Sequence, residues 1–293
     1  MNFTEIEKKL NSRKIPLAIC MPEDDETVAA ACEAAELGYV ECYFVGNSEK
    51  IKILLEKTRT GFYPKIIAAD TEADAAFKTV ELVRNGEAKA IMKGTVSTPV
   101  LLKAILNSET GIKNSPVLSH VLVFEWEGRF KFLTDGGMIP QPTLEEKQEI
   151  IKNAAVLAAS LGIVQPKIAV LSAVETVNFK MQSSVDAAIL SKMGERKQFS
   201  GCIVEGPLAL DNAISLESAH HKGLYNEVAG KADVLVCPDV DTGNILGKSL
   251  IYLARVKLGG VVIGAKAPII LLSRSDTKEI RLNSIRLALA SNF

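Results

Sequence analysis

Short apolar runs alternate with amphipathic segments along most of this chain. Runs at 15–20, 40–45, 65–68 and 88–92 are apolar without strict alternation, which is how strands covered on both faces read. Between them, 27–37 predicts a helix stopped by Gly38, 48–58 one stopped near Gly61, and 71–85 one stopped by Gly86. Repeated strand–helix units imply a parallel sheet with helices on both faces. The pattern changes at 117. Strands at 117–126 and 130–134 flank Glu127-Gly128-Arg129, an antiparallel hairpin signal. Asp135-Gly136-Gly137, followed by Pro140 and Pro142, is the best hinge candidate.

A long helix follows. Thr143 and Glu146 form a capping box, and Glu145 adds charge to the first turn. Ile150, Ala154, Ala158 and Leu161 form its stripe, and Gly162 and Pro166 end it. Strands are then predicted at 167–174, 201–205, 233–237, 261–264 and 268–272, with helices at 185–193, 245–258 and 278–290. No repeat or low-complexity segment interrupts the series.

At 293 residues the chain has room for two domains or one large α/β domain. A net charge of -1 excludes a generally basic nucleic-acid binder and an acidic disordered tail, while leaving room for a local anion site. Aromatic residues are only 5%, fewer than a sugar- or base-stacking surface needs. The polar first ten residues argue against a signal peptide. The longest apolar candidate, 258–272, is broken by Lys266 and Pro268, so no membrane partner is expected. Five cysteines without a CxxC read as reduced core residues of a cytoplasmic protein.

Several familiar signatures are missing. There is no GxGxxG and no GxSxG. Residues 243–249 approach a phosphate-binding loop but are one residue short, and Ile245 and Leu246 suit a helix interior better. Ser275 to Lys278 matches SxxK without its companion motifs. His120, His220 and His221 lack ligand spacing, so no metal is expected.

Polar residues at strand ends remain, where open α/β sheets bind ligands. In Met92-Lys93-Gly94-Thr95-Val96-Ser97-Thr98-Pro99, Pro99 fits the first helical position with Thr98 as N-cap. That helix start, with Lys93, Gly94, Thr95 and Ser97 beside it, is suited to an anion, or is ordinary capping plus a surface lysine. In Leu271-Leu272-Ser273-Arg274-Ser275-Asp276, Arg274 is suited to bidentate phosphate binding beside Ser273, whereas Asp276 and Glu279 also look like a plain cap. The 202–212 segment carries Gly206, Pro207, Asp211 and Asn212, with Asp211 either an N-cap or a ligand group. Ser119 and His120 form an unusual polar pair in an apolar strand, though a histidine there is more often a hydrogen-bonded core residue. Asp239, Asp241, Gly243, Asn244 and Lys248 cluster after another strand, with turn and capping chemistry as the plain alternative.

Together these segments resemble the phosphate acetyl/butyryl transferase family, closest to its butyryl branch. The match is carried by MKGTVST (92–98), LSHVLVFE (118–125), FLTDGGM (132–138), AVETVNFKM (173–181), EGPLALDNAIS (205–215), PDVDTGNILGKSL (238–250) and GAKAPIILLSRSD (264–276). The resemblance implies a fold like isocitrate and isopropylmalate dehydrogenases, with mostly parallel sheets, an antiparallel hairpin and an interdomain cleft. The implied domains are 1–136 plus 261–293, and 137–260. It implies the reaction butyryl-CoA + phosphate = butyryl phosphate + CoA, with coenzyme A as substrate, no permanently bound cofactor, and a homodimer or higher homo-oligomer. The alternatives are phosphate acetyltransferase, a non-catalytic regulatory domain of the same fold, or a metal- and NAD-dependent dehydrogenase, whose ligand cluster and nucleotide loop are not identifiable.

By motif, Ser273-Arg274 is the implied phosphate site and Ser119 the family serine of the hairpin strand. Asp276 and Glu279 compete for the role of base toward the CoA thiol. Phosphate and a thioester must be brought together against repulsion, so Arg274, Lys248, Ser273, Thr95, Ser97 and two helix N-termini are expected to hold phosphate. Ser119, His120 and amides near Gly94 are candidate oxyanion donors. Lys93, Gly94, His120, Asp135, Gly206, Pro207, Asp211, Asn212, Asp239, Gly243 and Asn244 are expected to line the substrate and CoA cleft. Lys93, Lys248, Lys266 and Arg274 are expected to make it locally positive. The CoA thiol, with a pKa near about 8.5, leaves without strong acid help. Direct transfer is preferred over an acyl-cysteine, because the cysteines sit in apolar segments.

Overall fold

The computed structural model describes residues 1–10, 13–58, 60–273 and 276–291. Arg274 and Ser275 therefore lie outside the described residues. Two compact units divide the chain. A terminal unit comprises Asn2–Ser115 and Gly259–Phe293, and a central unit comprises Met1 and Pro116–Leu258.

The terminal unit begins with α1 (Phe3–Leu10), a helix the pattern did not announce. It folds because Phe3, Ile6 and Leu10 make one buried stripe. Then come β1 (Ile15–Cys20), α2 (Asp25–Glu36), β2 (Val40–Gly46), α3 (Ser48–Thr58), β3 (Lys65–Ala68), α4 (Glu72–Arg84), β4 (Ala90–Lys93) and α5 (Thr98–Ile105). After the central unit the chain returns as β10 (Leu258–Ile263), β11 (Ile269–Ile270) and α11 (Lys278–Ala290). The strands lie in the order β3-β2-β1-β4-β11-β10. All neighbours are parallel except β10 with β11. β1 and β4 are buried along nearly their whole length, as the unalternating runs predict. The expected strand 268–272 shrinks to two residues, and its partner starts three residues before position 261.

The central unit holds β5 (Ser119–Trp126), β6 (Arg129–Thr134), α6 (Leu144–Ser160), β7 (Lys167–Leu171), α7 (Gln182–Glu195), β8 (Ile203–Leu208), α8 (Leu210–Ile214), α9 (Leu216–His221), β9 (Val234–Val236) and α10 (Val240–Tyr252). Its strands run in the order β5-β6-β9-β7-β8, with only the β5–β6 pair antiparallel. The hairpin turn is shorter than expected: Arg129 already pairs with Trp126. Glu127 and Gly128 both take positive φ, 51° and 74°, the twist-matched geometry of a two-residue hairpin. The capping box of α6 forms as read, Thr143 and Glu146 satisfying each other's backbone N–H.

Helix α10 starts five residues earlier than position 245, because Asp239 caps it by accepting from Thr242 N at 2.8 Å. Gly243 sits inside that helix for a packing reason: a Cβ there would meet Asp135 O at 2.4 Å. Strand β8 runs on through Gly206 and Pro207 to Leu208 instead of ending at 205. The helix after it has Ala209, not Asp211, as N-cap.

Candidate functional site

In the terminal unit, β1, β4 and β11 are parallel and end side by side, with Cys20 paired to Lys93 and Ile270 to Met92. A cleft of about 890 Å³ opens just beyond these carboxyl ends, within the size of small-molecule sites. It is lined by 24–27, 93–99, Leu272, Ser273 and Arg281. Two of the segments singled out in the sequence thus meet in one cavity, one through 93–98 and the other through Leu272 and Ser273.

The 93–98 loop is held tightly to β1. Gly94 N donates to Cys20 O and Thr95 N to Met21 O, both at 2.8 Å. A Cβ on Gly94 would stand 2.1 Å from Met21 O, so only glycine fits. Lys93 Nζ donates to Gly94 O at 3.0 Å and is half-buried. Thr95 Oγ1 donates to Met21 O at 3.2 Å, and Ser97 Oγ to Glu72 Oε2 at 2.8 Å. Two of the three hydroxyls expected to hold phosphate, those of Thr95 and Ser97, are thus engaged with the protein. Ser97, not Thr98, is the N-cap of α5, and it makes no side-chain cap bond because Glu72 takes its hydroxyl.

Two helix N-termini, those of α2 and α5, reach the cleft through 24–27 and 98–99. Such ends carry unsatisfied N–H groups and about half a positive charge. Three acids also line the cleft, each engaged elsewhere. Asp24 caps α2 by accepting from Thr27 N at 2.8 Å, Asp25 pairs with Lys57 at 2.7 Å, and Glu26 pairs with Arg281 at 2.5 Å.

Arg281 was not foreseen. Its side chain is 6% exposed, its Nε donates to Asp276 O at 3.1 Å and its Nη2 to Ser273 O at 3.4 Å. Ser273 N in turn donates to Asp276 Oδ2 at 2.7 Å. Arg281 therefore ties Ser273 and Asp276 to α2. The signal in the sequence was an arginine one turn into a helix that is otherwise buried. Thr277, not Asp276, is the N-cap of α11. Glu279 lies exposed in the helix's first turn and does not line the cleft.

The central unit gathers other candidates. Asp135 is 2% exposed. Its Oδ1 accepts from His120 N, Gly137 N and Met138 N at 3.2, 2.9 and 3.1 Å, and its Oδ2 from Ile139 N at 3.1 Å. Burial pushes its carboxyl up, against the pull of those N–H groups and of the His120 charge. The carboxylate is the hub of the Gly-Gly segment. Gly136 and Gly243 touch, and Asn244 Nδ2 donates to Gly136 O at 3.3 Å. Ser119 is fully buried and its Oγ accepts from Asn153 Nδ2 at 3.0 Å.

A second group lies at the end of β8. Asn212 is fully buried and donates to Glu175 Oε2 at 3.3 Å, and Lys222 donates to the same oxygen at 3.0 Å. Lys222 holds the Glu175 carboxyl below its usual range. Asp211 stays exposed, 4.0 Å from Lys222. Gly206 is packed so that a Cβ would meet Val170 O at 2.8 Å. Lys248 is on α10, its Nζ 5.9 Å from the Tyr252 ring centroid. Asp241 is exposed in the helix's first turn. Lys266 does not join Lys93: it lines a different cavity, where β1 and β4 begin.

All five cysteines are free thiols. Burial pushes Cys20 and Cys237 up to about 12 and Cys202 to about 11, and raises Cys32 and Cys42 as well. Among the described residues no three His, Cys, Asp or Glu side chains are grouped to hold a metal, and no helix is long and apolar enough to cross a membrane.

Known proteins are similar to this chain in sequence and fold. The model of the phosphate acetyl/butaryl transferase family matches residues 53–289. A phosphate butyryltransferase from Clostridium acetobutylicum is 42% identical over 291 residues, covering 98% of this chain and 97% of its own. A phosphate acetyltransferase from Thermotoga maritima is 38% identical over 275 residues, covering 93% of each. The crystal structure of a branched-chain phosphotransacylase from Enterococcus faecalis V583 superposes with a TM-score of 0.82 at 35% identity, covering 94% of this chain and 98% of that one. A 4-hydroxythreonine-4-phosphate dehydrogenase from Salmonella typhimurium, at 14% identity and a TM-score of 0.61, shares the fold, as a dehydrogenase-like architecture implies. With a family match over most of its length and relatives near 40% identity along nearly all of it, the chain belongs to the phosphate acetyl/butyryl transferase family.

Proposed function

We propose that this protein transfers a short-chain acyl group between coenzyme A and inorganic phosphate, with butyryl-CoA the preferred donor and phosphate bound in the terminal-unit cleft. One observation carries the location. Residues 93–99 and 272–273, far apart in the chain, line a single cleft at parallel strand ends beside two helix N-termini. The butyryl preference rests on the relative named for that activity, the more similar of the two enzymes above.

In this reading Ser273, Lys93 and Arg274 hold phosphate, helped by the first-turn N–H groups of α2 and α5. Thr95 and Ser97, whose hydroxyl protons are already given away, shape the loop that presents them. A phosphate oxygen attacks the thioester carbonyl carbon, and amides near Gly94 stabilise the oxyanion. The C–S bond then breaks, acyl phosphate forms and CoA leaves as thiolate. In reverse, a carboxylate must take the CoA proton. Asp276, in the turn with Ser273, suits that role better than the outlying Glu279. Transfer is direct, because thiols pushed up to about 11 or 12 supply almost no thiolate at neutral pH. CoA is then a substrate and not a resident cofactor, and we expect a cytoplasmic homo-oligomer.

Thiol release from acetyl-, butyryl- and branched-chain acyl-CoA, with and without phosphate, tests this. Release should require phosphate and be fastest with butyryl-CoA. Arg274→Ala should raise the KM for phosphate by about 10- to 100-fold, the loss of a charged bidentate contact. Release without phosphate, or an unchanged KM, would refute the assignment. Phosphate-independent exchange of labelled CoA into butyryl-CoA would show an acyl-enzyme instead.

A further inference from the structure

The opposite end of the terminal unit carries a second cavity, of about 530 Å³. It opens where β1 begins, at Ile15 and Pro16, whereas the cleft described above lies past Cys20, where the strand ends. Six residues of strand separate the two by roughly 20 Å. Arg13, Lys14, Lys89 and Lys266 line this cavity, and among the described residues no aspartate or glutamate does. The contrast with the first cleft is plain, since that one has three carboxylates on its wall.

None of these four basic side chains has a carboxylate within ion-pair distance among the described residues. Helix dipoles account for only part of the charge. The C-terminal ends of α4 and α11 reach the cavity through Gly86 and Ser291. Each end carries about half a negative charge, so among the described residues four cations leave roughly three positive charges uncompensated.

The cations stand on fixed backbone. Lys89 N donates to Pro16 O and Lys266 N to Ile112 O, both at 2.8 Å, and Lys14 N donates to Gly38 O at 3.2 Å. Lys14 takes a φ of 46°, a conformation that a side chain disfavours and that is held here by its neighbours. Val83, Pro268 and Leu289 add an apolar wall. A single phosphate would engage only part of this charge.

We propose that this cavity is a second anion site, separate from the acyl-transfer cleft, that takes a small molecule bearing a diphosphate group. The diphosphate bridges the cations, and any organic body lies against the apolar wall. Its affinity falls with added salt, because the side chains are exposed.

Titration calorimetry on the full chain with inorganic pyrophosphate, and separately with ADP, tests the proposal. Saturable binding of at least one is expected. Arg13→Glu with Lys89→Glu should weaken it by about tenfold or more, and Arg13→Gln with Lys89→Gln by less. Thiol release from butyryl-CoA and the KM for phosphate should be unchanged in both. Equal affinity for the two probes identifies the bare diphosphate as the ligand, and tighter ADP binding identifies a nucleotide. No saturable binding of either probe, or binding equally strong in both double variants, would overturn the proposal.

Discussion

Gly94 lies against the main chain of Met21, so that a Cβ on Gly94 would stand 2.1 Å from the Met21 carbonyl oxygen and 2.7 Å from its carbon. This contact locks the end of β4 to the end of β1. It carries Lys93 and Thr95 with it, because Gly94 N donates to Cys20 O and Thr95 N to Met21 O. Backbone atoms cannot swing aside as a flexible side chain would. Gly94→Ala should therefore destabilise the protein by at least about 2 kcal/mol and lower kcat/KM, both readable from urea titration and thiol release.

Arg281 is a positioning residue. Replacing it with alanine releases Ser273 and Asp276 from α2 and leaves Glu26, which is mostly exposed, to solvent. The expected loss is about 1–3 kcal/mol, the value of charge-assisted hydrogen bonds and not of a buried ion pair. The KM for phosphate should rise while kcat changes less. Arg281→Lys should not restore it, since one ammonium cannot reach Glu26, Asp276 O and Ser273 O together. Saturation curves in phosphate for both variants check this.

Asp135 serves four backbone N–H groups at once. An asparagine there keeps one acceptor oxygen but points its amide donors at the other N–H. Asp135→Asn should cost about 1–3 kcal/mol. Gly243→Ala should be comparably damaging, since its Cβ would press into Asp135 O at 2.4 Å. Thermal melts of the two single variants and the double variant should show non-additive losses, because both changes disturb the same Asp135-Gly136 backbone.

The buried thiols set an alkaline limit. Burial pushes the Cys20 and Cys237 thiols up to about 12 in the folded chain, from an ordinary value of 9.0. Above pH 9 the unfolded thiols lose protons that the folded ones keep, so stability present below pH 9 is lost as pH rises toward 12. Cys20→Ala should flatten that fall. At pH 8 about one thiol in 10,000 with such a pKa is thiolate, so iodoacetamide should leave activity intact over minutes. Rapid inactivation at pH 8 would contradict the direct-transfer reading.

Much of the terminal unit was legible because its strands read as unbroken apolar runs separated by helical segments, although inner strands such as β1 and β4 are buried along most of their length and the edge strand β3 is not. β1, β3, α3 and α11 fall where the pattern puts them. The errors have local causes. α1 was hidden in a polar segment whose three apolar residues matter only once they are packed. α10 begins at a cap, Asp239, that also reads as turn chemistry, and continues through a glycine that looks like a breaker. Ser97, not Thr98, is the N-cap of α5, and its hydroxyl goes to Glu72, 25 residues away, instead of to the helix.

Local pattern and motif order by themselves determined the α/β class, the order of most elements, the hairpin, the family likeness and which strand ends carry polar residues. Tertiary structure decided which of those ends meet. It brought 93–99 to 272–273, engaged Thr95 and Ser97 with the protein, enlisted Arg281 behind the turn, and sent Lys266 to the far end of the strands. The physical reason is range. Propensity, capping and periodicity act within a few residues, whereas the charge of a cleft is the sum of groups that only the strand order makes neighbours.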